Sequence, residues 1–126
     1  MEFSEDKAIY LQIADLICEK ILRNEWHPEE KIPSIRDMAM QLEVNPNTVV
    51  RTYTFLEDKN IINKQRGIGY FIDKEAFSKT LILRKEDFFQ QDLPKLITTL
   101  KLLNIEFDEL KAYLKETKEL IHENQH

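Results

Sequence analysis

The stretch PSIRDMAMQLEVNPNTVVRTYTFLEDKNIINKQRGIGYFI, residues Pro33–Ile72, decides the fold. It divides into a short helix, a second helix after a tight turn, and a small hairpin. Ser34 is a favoured N-cap, and Asp37 three residues later suits the positive end of the helix that follows. Ile35, Met38, Ala39 and Leu42 then recur at helical spacing, and Glu43-Val44 reads as a turn with one apolar plug. Asn45 is a second N-cap, with Pro46 at the first helical position, where a missing N–H costs nothing. On that second helix Val49, Tyr53 and Leu56 share one face. Asn47, Arg51 and Thr54 lie roughly opposite, with Thr48 and Phe55 at the edge.

The hairpin completes the unit. Ile61-Ile62 and Tyr70-Phe71-Ile72 read as short strands around Lys64-Gln65-Arg66-Gly67-Ile68-Gly69. The chain has two glycines, and both lie in this turn; glycine permits positive φ and close backbone approach to a partner. Lys64 and Arg66 flank the tip with positive charge. This Gly-x-Gly is not a nucleotide fingerprint, because the strand before it and the helix after it are missing. Two helices followed by a basic, glycine-tipped hairpin form a winged helix-turn-helix. Asn, Thr and Arg on the outward N-terminal half of the second helix are the residue types that bond to base edges and phosphates in a major groove.

Five pieces in register carry a resemblance. They are Ile9-Tyr10-Leu11-Gln12-Ile13, Lys31-Ile32-Pro33-Ser34-Ile35-Arg36, Asn47-Thr48-Val49, Tyr53-Thr54-Phe55-Leu56-Glu57 and Arg66-Gly67-Ile68-Gly69-Tyr70-Phe71. Residues 7–73 thereby resemble the N-terminal domain of the GntR family of bacterial transcription regulators. The run Val44–Val49 and the short tail resemble its YtrA-like branch. The sequence departs from the family at Asn24-Glu25 and Glu29-Glu30, where glycine-containing turns are usual. It departs again at Pro46-Asn47, which replaces the Ser-Arg of many branches, so base preference does not transfer from those branches.

The resemblance and the residue chemistry together imply a homodimer on a palindromic operator of double-stranded DNA, acting as a repressor. Asn47 and Arg51 are the expected base-edge contacts, and Thr48 is expected to touch a base or a phosphate. Arg36, carried over from the family's Pro-Ser-x-Arg motif, is a phosphate or base contact. Ser34 and Asn45 cap helices whose N-termini face phosphates. Lys64, Arg66 and Gly67 belong to the wing, whose tip reaches the adjacent minor groove. The other reading of the same fold is a winged helix that contacts only protein. An apolar patch on the outward face of the second helix would mark it, and Phe55 is the one residue there that dissents.

Charge supports a local interface. The chain carries a net charge of −5, yet residues 31–72 hold six basic and four acidic side chains, a net of +2. Residues 1–30 are net −5 and residues 73–126 net −2. An acidic whole repels non-specific DNA while a basic patch still docks.

The rest of the chain reads as support. Residues 6–24 form a helix with Ile9, Tyr10, Ile13, Leu16, Ile17 and Ile21 as its apolar stripe. Trp26 is a packing anchor after it, and Lys31-Ile32 a very short strand pairing with the hairpin. Residues 1–73 are read as the winged helix-turn-helix and residues 74–126 as a helical dimerisation tail, making the fold mainly α with a small β-wing. The tail contains a helix over 75–90, broken near Gln91-Asp92, and Pro94 marks a start or a kink. A second helix runs to Asn104 and a last one spans roughly 106–122. Leu96, Leu100, Leu103, Phe107, Leu110 and Leu114 are the expected interface, because so short a tail has too little core of its own.

Sites for chemistry are lacking. Cys18 is single and has no His beside it in sequence, His27 stands alone, and His122 and His126 have no third ligand, so neither enzyme nor metal is expected. No cofactor is implied, and about fifty residues of tail can hardly enclose a drug-sized effector cavity. No apolar run is long enough for a membrane span, and the acidic N-terminus lacks a signal-peptide pattern, so a cytoplasmic protein is expected.

Overall fold

A computed structural model describes residues 2–124. The chain divides into two compact units, the first ending at Arg84 and the second starting at Lys85.

In the first unit, α1 (Ile9–Leu22), α2 (Ile35–Leu42) and α3 (Pro46–Asp58) pack around one core, and β1 (Ile62–Gln65) and β2 (Gly69–Ile72) form an antiparallel hairpin. The register pairs Ile62 with Ile72 and Gln65 with Gly69. The expected short strand at Lys31-Ile32 is a single bridge to Phe71. Ile32 N–H donates to the Tyr70 carbonyl at 3.0 Å and Ile72 N–H to the Glu30 carbonyl at 2.9 Å. Ile13, Ile17, Val49, Tyr53, Leu56, Ile61, Ile62 and Ile72 make the buried centre, with Trp26 and Phe55 half-buried against it. Thr52 also faces inward, between Val49 and Leu56 on the helix, and its hydroxyl donates to the Tyr10 carbonyl at 2.8 Å.

Helix α1 starts at Ile9, the first residue of its apolar stripe, three residues later than the 6–24 range read from the sequence. The Gln12 side chain accepts from Ser4 N–H and donates to the carbonyls of Ser4 and Lys7, holding the preceding segment off the helical path. The departures from family glycines have a visible consequence. Asn24 and Glu29 adopt left-handed backbone, φ +59° and +66°, where a glycine would sit without strain. Glu43 closes α2 in the same conformation, φ +55°, and Val44 plugs the core behind it.

The first unit runs on past Asp73 to Arg84. Helix α4 (Ala76–Asp87) buries Ala76 and Thr80, leans Leu83 on the core, and pairs Arg84 with Asp15 of α1. A small residue and a threonine form this seam, so the hydrophobic pattern gave no sign of it.

In the second unit a π-helical turn, Phe88–Asp92, precedes α5 (Leu93–Leu102), and α6 (Phe107–Asn124) follows. Pro94 explains the wide turn, since its ring and missing N–H prevent regular α bonding one turn earlier. Asn104, φ +54°, closes α5. No side chain described in this unit is fully buried. Leu100 and Leu110 are half-buried, while Leu96, Leu103 (63% exposed), Phe107 (72%) and Leu114 (59%) lie open.

Candidate nucleic-acid interface

Two helix N-termini and a hairpin tip carry the candidate residues. Ser34 Oγ accepts from the Asp37 N–H at 3.1 Å, and Asn45 Oδ1 from the Asn47 N–H at 2.8 Å, so both expected caps are formed. A cap satisfies one terminal N–H and leaves others free, which, with the helix dipole, makes each N-terminus attractive to an anion. The Tyr53 hydroxyl donates to the Pro33 carbonyl at 2.6 Å, tying the middle of α3 to the residue before the α2 cap. Its ring meets that of Tyr70 edge-on at 4.8 Å, which ties α3 to the wing as well. One buried side chain thus links all three candidate surfaces. Burial pushes the Tyr53 phenol far above its ordinary pKa, with Tyr70 and Asp37 adding to the shift.

Arg36 is exposed in the first turn of α2. On α3, Asn45 and Asn47 are exposed and Thr48 is half-buried. No acid occupies the first turn of α3, while Glu57 and Asp58 stand at its far end, so an approaching polyanion is favoured at the N-terminal half. Arg51 is exposed, but its guanidinium carbon lies 4.0 Å from the centre of the Tyr10 ring on α1. Tyr10 therefore holds α3 at two points, the carbonyl through Thr52 and the ring through Arg51. Neither Tyr10 nor Thr52 entered the expected site. Thr52 lies three residues after Val49, a spacing that places it on the core face whatever its polarity. The Tyr10–Arg51 pair joins distant parts of the chain and has no local signature.

On the wing, Lys64, Arg66 and Gly67 are exposed. Gly67 has φ +78° with open space around it, so glycine serves the turn alone. Gly69 has φ +141°, and a Cβ there would come within 3.1 Å of the Lys31 stem. The Lys64 ammonium lies 5.7 Å from the Tyr70 ring. Among the described residues no cluster of His, Cys, Asp or Glu could hold a metal, and no helix is long and apolar enough to cross a membrane. His126 lies outside the described residues.

Comparison with known proteins identifies this architecture. The family model for bacterial regulatory proteins of the gntR family matches residues 9–72. The HTH-type transcriptional regulator YhcF of Bacillus subtilis is 48% identical over 75 residues, covering 60% of this chain and 62% of that protein. The match therefore spans less than two thirds of YhcF. The HTH-type transcriptional repressor YtrA of the same organism is 34% identical over 108 residues, 86% of this chain and 82% of that one. The solved structure of a GntR family transcriptional regulator from Listeria monocytogenes superposes with a TM-score of 0.73 at 29% identity, covering 90% of this chain and 98% of that chain. These relatives are transcription regulators, not enzymes, and their fold is the winged helix. The chain belongs to the GntR family of bacterial transcription regulators and is similar to its YtrA-like members.

Proposed function

We propose that this protein is a repressor that binds a palindromic operator in the cytoplasm as a homodimer. The observation that carries this reading is the pair of capped helix N-termini within residues 31–72, the net-positive segment of the chain, with Asn47 and Arg51 exposed beyond the second cap. In this reading α3 enters the major groove by its N-terminal half, and Asn47 meets a base edge. The stacking of Arg51 on Tyr10 favours a phosphate beside the groove for that guanidinium, with Thr48 near it. Ser34, Arg36 and Asn45 hold the phosphate backbone, and Lys64, Arg66 and Gly67 follow it into the minor groove. The repressor assignment is supported by the similarity to YtrA.

The homodimer is supported by the second unit. Leu96, Leu103, Phe107 and Leu114 lie open to water, with Leu100 and Leu110 half-buried, so the apolar faces of α5 and α6 are available to a partner. A symmetric partner would cover it and set two half-sites about one helical turn, ~34 Å, apart.

Salt-dependent binding tests the proposal. Affinity of the full chain for duplex DNA should fall steeply between about 50 and 200 mM salt, with a linear log–log slope. Lys64→Ala and Arg66→Ala should each lower that slope by about one and weaken binding similarly on all sequences. A slope left unchanged by both would remove the wing from the interface.

A further inference from the structure

We propose that Val50 is a specificity-determining residue that reads the methyl group of a thymine, beside the base read by Asn47. The inference rests on the DNA reading proposed above and deepens it. Val50 is 42% exposed on α3, an apolar side chain among the exposed polar residues Asn47, Arg51 and Thr54. It follows Asn47 by three residues and precedes Thr54 by four, so the three make one stripe along the helix surface. The other apolar residue near that face, Phe55, is half-buried against the core and unavailable to a partner.

The neighbour that would otherwise dominate this surface is drawn away. Arg51 lies with its guanidinium 4.0 Å over Tyr10, on the α1 side of the helix. Val50 is turned 100° from Arg51 around the helix axis, away from that stack. The stripe facing a groove floor is thus Asn47, Val50 and Thr54. A major groove offers one apolar feature, the C5-methyl of thymine, and a paired amide such as Asn is suited to adenine N6 and N7. An exposed β-branched valine beside an asparagine therefore fits adjacent adenine and thymine bases.

The test replaces each thymine in turn by 2′-deoxyuridine, which removes the methyl and keeps the base pair. The duplex is an operator enriched by the full chain from random DNA. For the wild type, a single replacement at one position of either half-site should weaken binding about fourfold, the value of one buried methyl. Val50→Ala removes the contact from both protomers, so it should bind the thymine operator about 15-fold more weakly, two methyl contacts' worth, and be indifferent to deoxyuridine at the same position. Val50 is partly exposed, so the substitution leaves the core intact. An operator on which no thymine shows a methyl effect that Val50→Ala abolishes overturns the assignment and leaves the DNA reading standing. Failure to enrich any operator overturns both.

Discussion

A chain carrying Phe107→Asp and Leu114→Asp is expected to sediment as a monomer and to lose about 100-fold or more in operator affinity. Both side chains lie on α6, seven residues apart on one face, and both are largely exposed in the single chain. A charge at either place therefore costs the isolated chain little, whereas burying two carboxylates against a symmetry mate is prohibitive without partners. Affinity falls because two half-sites held by one dimer gain from effective concentration by about 10²–10⁴, and a monomer forfeits that gain. The winged helix itself should stay folded, and its weak binding to a single half-site should survive. A double variant that remains dimeric in light scattering would place the interface elsewhere than on Leu96, Leu100, Leu103, Phe107, Leu110 and Leu114.

The second large effect is on stability. Tyr53→Ala should destabilise the winged helix by about 3–5 kcal/mol in denaturant unfolding, a large share of the roughly 5–15 kcal/mol that such a unit has. Tyr53 is fully buried, stacks edge-on with Tyr70 and bonds to the Pro33 carbonyl, so its loss opens a cavity between α3, the α2 lead and the wing at once. Tyr53→Phe keeps the packing and strands the carbonyl, at a cost of about 1–3 kcal/mol. It should also change the alkaline limb of stability. The folded chain holds the phenol proton more tightly than the unfolded chain, so stability is fully present below pH 10, the ordinary value, and falls as pH rises above it. Tyr53→Phe should flatten that decline. An alanine variant within 1 kcal/mol of wild type would mean that Tyr53 is not the link between the three surfaces.

The parts legible in the sequence were those with local causes. Ser34 and Asn45 announce helix starts through their own side chains, and the bonds to Asp37 and Asn47 N–H follow. The paired glycines mark the wing tip because both take positive φ, which glycine adopts without strain. The last two tail helices follow from apolar residues at helical spacing, with Pro94 marking the start of the first of them. What escaped depends on residues far apart in the chain. The late start of α1 comes from Gln12 bonding back to Ser4 and Lys7. The extension of the first unit to Arg84 comes from Ala76 and Thr80, which are too small or too polar to read as core, and from the pairing of Arg84 with Asp15. In the candidate site, the positions of Asn47 and Thr48 on the helix could be read from spacing. The capture of Arg51 by Tyr10, and the resulting prominence of Val50, needed the fold.

Selection from random duplex DNA, performed in parallel with wild type and Asn47→Ala, tests the central claim most directly. The account predicts an enriched motif with two-fold symmetry, half-sites about one helical turn apart, and blurred preference at one position per half-site in the variant. No enrichment by the wild type even at low salt, where phosphate contacts are strongest, would contradict it and leave the winged helix as a protein-contacting module.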